Sequence, residues 1–290
     1  MNPNGQTVLE RLHKTSISAK DIANQFWCEK QLELSFVTEY KPTQAMNQGT
    51  SIHSTMQKEV YVPLSVEPAT YADRMYKTAY ENLTTLNTLM EKGVAREFRV
   101  YGSINGYRLS GQIDEFQLKD GKVVIVENKT TNQNNKFGSE YMKPHIVQVM
   151  LYRHMMDSVR SRDYTYENFS NTYRLKAMAL SEQFKQGLSS ISVRDELISL
   201  ESIYRKMFDA LCLLPEISDE LHVHYVDRQT GNGMRDVVIQ YNRQEIDEKL
   251  KDAMGFWRGE REARPVPEAE KWKCNICRFF GKECKVWWTG

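Results

Sequence analysis

The chain has 290 residues, of which 40% are hydrophobic and 27% charged, so it can bury a sizeable core in one large domain or two small ones, and wholesale disorder is excluded. No apolar run approaches the roughly 20 residues that span a bilayer, and Met1–Glu10 has neither the basic start nor the apolar stretch of a secretory signal, so neither a membrane role nor secretion is expected. A net charge of +1 excludes a strongly basic coat and leaves any nucleic-acid binding to a local patch.

Ser18 and Asp21 have the spacing of a capping box and open a predicted helix carrying Phe26, Trp27 and Cys28. A second helix is expected over 50–60, with His53 on it, and a third over 72–91. The period then changes: Val94, Arg96, Phe98 and Val100 alternate with Ala95, Glu97 and Arg99, as in a strand. Asn105-Gly106 turns the chain into a strand over 107–118, and Asp120-Gly121 into another over 122–129. The run Val123-Val124-Ile125-Val126 suits a central strand covered on both faces. Helix returns over 144–159, and more helical sequence fills 171–214. A hairpin follows, 221–226 and 237–241 around Gly231-Asn232-Gly233, and then a helix over 243–259 running to Arg264-Pro265-Val266-Pro267. No internal repeat or low-complexity linker interrupts this order. The fold class expected is α/β, a central mixed sheet flanked by helices.

The five cysteines are Cys28, Cys212, Cys274, Cys277 and Cys284. Cys212 lies in Leu211-Cys212-Leu213-Leu214 and reads as a core thiol. In a reducing compartment the others are not a disulfide framework. Cys274-x2-Cys277 can bring two thiolates to one metal, and Cys284 supplies a third. A tetrahedral ion or a cubane iron–sulfur cluster takes four, and Cys28 would complete the set by clipping the two ends of the chain together. Spacing leaves zinc and iron–sulfur both open.

If Lys119 and Lys122 flank a two-residue loop, Asp114 falls opposite Glu127. Directly opposed side chains stand about 4.5–5.5 Å apart at Cβ, where two carboxylates repel. A divalent cation between them removes the repulsion, and oxygen ligands suit magnesium or manganese. Lys129, two residues on, projects from the same strand face as Glu127. His53 can serve as a further ligand, although a lone helical histidine is more often structural. Gln148 and Tyr152 share a helix face and either touch substrate or pack. His222 and His224 alternate with Val223 and Tyr225 and read as polar-face residues of a strand. Residues 127–176 carry eight Lys or Arg against five acids, and Tyr141, Tyr164, Tyr166 and Phe169 there would either stack bases or belong to the core.

In chain order, Trp27-Cys28-Glu29, Gly49-Thr50-Ser51-Ile52-His53, Gly111-Gln112-Ile113-Asp114-Glu115, Glu127-Asn128-Lys129, Gln148-x3-Tyr152 and the three C-terminal cysteines resemble the motifs of the RecB-type branch of the PD-(D/E)xK nucleases. Within that branch, Trp27-Cys28-Glu29 and Phe256-Trp257-Arg258-Gly259-Glu260-Arg261-Glu262 resemble the exonuclease V family. Two departures are plain: Ile113 rather than proline precedes Asp114, and six residues separate Cys277 from Cys284.

The resemblance implies a restriction-endonuclease-like core in a single nuclease domain over 1–290. That domain divides into an N-terminal arm (1–45), a catalytic core (46–160), a helical and hairpin region (161–264) and a cluster segment (265–290). It implies a structural [4Fe-4S] cluster on Cys28, Cys274, Cys277 and Cys284. It also implies Mg²⁺ or Mn²⁺ on His53, Asp114, Glu127 and Asn128, catalysis by Asp114, Glu127 and Lys129, and substrate contacts from Gln148 and Tyr152. The activity implied is single-stranded DNA exonuclease in repair or replication. The chain would be monomeric, with a single-stranded-DNA-binding protein as partner, in the nucleus or mitochondrion of a eukaryote or otherwise the cytoplasm. The alternatives are a CRISPR-adaptation nuclease, a non-catalytic DNA-binding protein on the same fold, and a zinc-stabilised interaction module.

Overall fold

The computed structural model describes residues 6–39, 47–48, 51, 63–132 and 138–288, so His53 lies outside the described residues. A single turn, α1 (Val8–Arg11), precedes β1 (Ile17–Ser18) and α2 (Ala19–Val37). Helix α3 (Tyr71–Lys92) leads into three consecutive strands, β2 (Val94–Ile104), β3 (Tyr107–Lys119) and β4 (Lys122–Thr131). Four helices follow: α4 (Ser139–Arg160), α5 (Tyr166–Tyr173), α6 (Glu182–Ser190) and α7 (Leu200–Leu213). The hairpin β5 (Glu220–Asp227) and β6 (Gly233–Gln240), helix α8 (Arg243–Trp257) and a 3-10 segment at Glu268–Ile276 complete the chain.

Side-chain caps set most helix starts. Ser18 and Thr70 each accept from the backbone of the residue three on, and Asp21 and Asp73 return the bond. The helical sequence expected over 171–214 forms separate helices, because Ser181 and Ser199 cap new helices and Arg174 ends α5 with φ 56°. Helix α4 begins at Ser139 rather than at Pro144, which lies inside it as the sixth residue and cannot donate to the Glu140 carbonyl. Helix α2 kinks at Cys28, whose φ of −169° and ψ of 111° are extended. The periodicity predicts no such break.

The sheet runs β1–β3–β4–β5–β6, with β2 on the other edge of β3. The β1–β3 and β4–β5 pairs are parallel and the rest antiparallel, which makes the mixed sheet that was expected. Strand β4 lies in its interior, and Val123 through Glu127 are all buried. The β3–β4 ladder has the register set by the Asp120-Gly121 turn, from Lys119↔Lys122 to Glu115↔Val126. It stops one residue short of Asp114 and Glu127.

The β2–β3 ladder pairs each residue from Val94↔Gln117 to Ile104↔Tyr107 except Glu97 with Asp114, and Glu97 takes φ 62°. Side chains change face across this break. Phe116 pairs with Ala95, and Phe98 with Ile113, so in a regular sheet their rings would point to opposite sides. Instead the two rings lie 5.4 Å apart. Asp114 therefore stands where β3 turns over, a local irregularity of the kind that re-aims side chains beside functional sites.

Helix α4 covers one face of the sheet, with Met155 against Gly102 and Tyr152 against Gly111. On the far side of the helical layer, Tyr204 of α7 donates to the Met75 carbonyl of α3 at 3.0 Å. Phe169 packs its ring 4.5 Å from Tyr204 and 4.7 Å from Tyr101. Tyr164, Tyr166 and Phe169 are thus core residues and offer no surface to bases, whereas Tyr141 is half-buried. Cys212 is also half-buried rather than enclosed, its thiol turned to the Val159 carbonyl.

His145 of α4 holds its Nδ1 2.8 Å from the Tyr225 hydroxyl of β5. Burial pushes its pKa down to about 3, helped by the charges of Lys129 and Lys20. The folded chain keeps His145 neutral where the unfolded chain protonates it near 6.5, so its contribution is lost as pH falls from about 6.5 to about 3. We predict that His145→Gln flattens the pH dependence of unfolding free energy in that window by up to about 1.4 kcal/mol per pH unit relative to the parent. Denaturant titrations at several pH values measure the difference.

Candidate active site

Glu127 follows four β-branched residues on an interior strand, and its carboxylate is almost wholly buried. Its Oε1 accepts from Lys129 Nζ and, at 2.8 Å, from Gln148 Nε2. Its Oε2 is buried with no hydrogen-bond partner among the described residues. An ionised oxygen in that position costs several kcal/mol unless a cation meets it. Asp114 Oδ2 accepts from the Asn128 backbone N–H at 2.8 Å, which ties the turned-over point of β3 to β4 just beyond the end of their ladder. A strand residue points its N–H and C=O to the same edge, so the Asn128 carbonyl also faces the Asp114 side.

Helix α4 supplies the rest. Gln148 Oε1 accepts from Lys129 at 3.0 Å, and Gln148 Nε2 also donates to the Tyr152 hydroxyl at 2.8 Å. One amide thereby links Glu127, Lys129 and Tyr152. Burial opposes the charge on Lys129, but Glu127 and Asp114 outweigh it and raise its pKa. Tyr152 is held protonated well above the ordinary phenol range by burial and by the same two carboxylates. Asp114, Glu127, Asn128, Lys129, Gln148 and Tyr152 are therefore brought together as the sequence suggested.

Gly111 has a role that its motif did not reveal. A Cβ there would stand 2.6 Å from Tyr152 Cε1 and 3.2 Å from Ala19 Cβ. Only glycine lets the ring lie on β3, so that Tyr152 holds Gln148 and Gln148 holds Glu127. Gly111→Ala is expected to lower the rate constant for catalysis by roughly 10-fold or more with a smaller change in substrate affinity, because displacement of about 1 Å at a site can cost about 10²-fold. Steady-state kinetics separates the two effects.

The cysteine segment forms a second site. Cys28, Cys274, Cys277 and Cys284 line one cavity, walled by Trp27, Leu34, Val266, Phe279 and Phe280. Burial raises the Cys274 pKa, and the thiols of Cys28, Cys277 and Cys284 raise it further. The six-residue gap is taken up by a turn in which Gly281, φ 74°, donates to the Cys284 carbonyl at 3.0 Å. Next to Cys28, Glu29 joins the ends of the chain: it accepts from both terminal nitrogens of Arg261 and, at 2.9 Å, from the Arg264 backbone. The two stretches that resembled one family in sequence thus meet in space.

A family model described as "Exonuclease V - a 5' deoxyribonuclease" matches residues 8–122, 117–210 and 193–288. Exonuclease V of Danio rerio is 24% identical over 291 aligned residues, spanning 96% of this chain and 72% of its own length. Among solved structures, the protein SSO0001 aligns over 94% of this chain and 89% of its own, at 11% identity and a TM-score of 0.38. A protein from Eubacterium rectale, named as a candidate exonuclease, aligns over 94% and 92% at 10% identity and a TM-score of 0.38. Likenesses at that level carry no weight for function.

Proposed function

The chain belongs to the exonuclease V family, and on that premise we propose that it is a metal-dependent exonuclease that hydrolyses single-stranded DNA on a restriction-endonuclease-like core. The family makes it a nuclease; the metal, the strand preference and the cluster are the proposal. The observation that carries it is the Oε2 of buried Glu127, which has no hydrogen-bond partner among the described residues, on a strand whose next residue, Asn128, donates its backbone N–H to Asp114. Oxygens of Glu127, Asp114 and Asn128, with His53, would hold Mg²⁺ or Mn²⁺. Such an ion neutralises phosphodiester charge and lowers the pKa of a bound water. Lys129, tied to Glu127 and Gln148, offers its ammonium to the negative charge that builds on the phosphate. Gln148 fixes the orientation of both, and Tyr152 fixes Gln148. A non-catalytic relative has no need to keep these groups together.

Four cysteines around one cavity would hold a [4Fe-4S] cluster that would supply a cross-link between the two ends of the chain. Among the described residues, no helix is long and apolar enough to cross a membrane.

Incubating single strands labelled at either end with Mg²⁺ or with EDTA tests the reading. Short products from one labelled end with Mg²⁺, and none with EDTA, are expected. Cleavage that survives EDTA, or an inert protein with intact sites, would overturn it.

A further inference from the structure

We propose that the outer face of the β5–β6 hairpin is a second, independent metal site, for a borderline divalent transition ion of the zinc class, built from His222, His224 and Asp236. The three offer ligand atoms that all lie within 4.8 Å of one another. His224 and Asp236 are direct register partners, and His222 lies one pleat along the same face. One carboxylate serves both rings: Asp236 Oδ2 is 2.9 Å from His222 Nδ1, and its Oδ1 is 3.1 Å from His224 Nε2. The two imidazole centroids stand 5.7 Å apart.

His222 is buried, and its contacts are the informative ones. Its Nδ1 faces Asp236, and its Nε2 faces Glu220 Oε1 at 3.3 Å. A neutral imidazole has one N–H, so one of these contacts sets a ring lone pair against a carboxylate oxygen. A cation there turns that repulsion into coordination. Two nitrogens and a carboxylate oxygen are the donor set that zinc takes in open sites, and they do not favour magnesium. Zinc bonds of about 2.0–2.1 Å need ligand atoms about 3.4 Å apart, which small rotations reach from the spacing seen.

This site is distinct from the catalytic one. In the parallel β4–β5 pair, Glu127 and Lys129 are partners of Val223 and Tyr225, and Tyr225 points to His145 of α4. His222 and His224 partner Val126 and Asn128 and therefore project from the opposite face. The ion would lie behind the catalytic strand and pin the edge strand β6 to β5.

The test is Zn²⁺ binding by the purified full chain in excess Mg²⁺, which occupies sites of hard oxygen ligands. Stoichiometry and affinity are read by competition with a chromophoric chelator and compared with His224→Gln and Asp236→Asn. Both substitutions lie on the accessible side of the hairpin, and circular dichroism checks that the variants fold. One equivalent of Zn²⁺ present in the parent and weakened at least 10-fold in both variants, with DNA cleavage unchanged, is expected. Equal stoichiometry and affinity in all three proteins would mean that the cluster is only a hydrogen-bonded ion pair and would overturn the proposal. The readout is binding, so it stands or falls separately from the nuclease reading.

Discussion

Replacing Glu127 with glutamine will lower the rate of DNA hydrolysis by about 10²–10³-fold or more while leaving the fold intact. Glutamine keeps the volume of the side chain and an acceptor for Lys129 and Gln148. It removes the charge from the position of Oε2, which is buried and has no hydrogen-bond partner among the described residues. Removing one preorganised electrostatic group typically costs that range. Some stability is lost with the charge that faces Lys129, while the hydrogen bonds from Lys129 and Gln148 keep the side chain in place. Single-turnover cleavage and a thermal melt on the same preparation separate catalysis from folding. Cleavage within about 10-fold of the parent would show that Glu127 is a structural acid.

Cys28→Ala should have the largest effect on stability. A link between Cys28 and Cys274 closes a loop of well over 100 residues, for which chain-entropy reasoning gives about 5 kcal/mol. For a chain of this size that corresponds to roughly 10 °C in melting temperature. The variant should lose visible absorbance and iron together with that stability. It should still fold near room temperature, because Glu29 continues to hold Arg261 and Arg264 beside the missing ligand. A colourless parent that contains zinc would replace the cluster with a single ion. A coloured Cys28→Ala protein of unchanged melting temperature would remove Cys28 from the ligand set.

The parts of the site that local chemistry fixes were legible in the sequence. Asp120-Gly121 adopts positive φ at both positions, 50° and 74°, and this tight turn dictates the β3–β4 register, which the residue types alone announce. The four-residue spacing of Gln148 and Tyr152 put them on one helix face, and the structure turns that face to Glu127. What stayed hidden depends on partners far away in sequence. The alternation of Val94 to Val100 looks the same with or without a break at Glu97, so the turning over of β3 at Asp114 could not be read from it. At the Cys28 kink the Lys30 N–H donates to the Arg264 carbonyl at 3.0 Å, a contact with the C-terminal segment that helix propensity does not show. Gly111 looked like part of a motif, and its reason is an aromatic ring from α4. His222 and His224 read as ordinary polar-face residues because Asp236 joins them only through the pairing of β5 with β6.

The proposed hydrolysis turns on whether the carboxylates of Asp114 and Glu127 share a cation. Anomalous diffraction from crystals soaked in Mn²⁺ answers that directly. A peak within coordination distance of Glu127 Oε2, an Asp114 oxygen and the Asn128 carbonyl is the expected result. Side chains that remain apart with no density between them at saturating Mn²⁺ would contradict it.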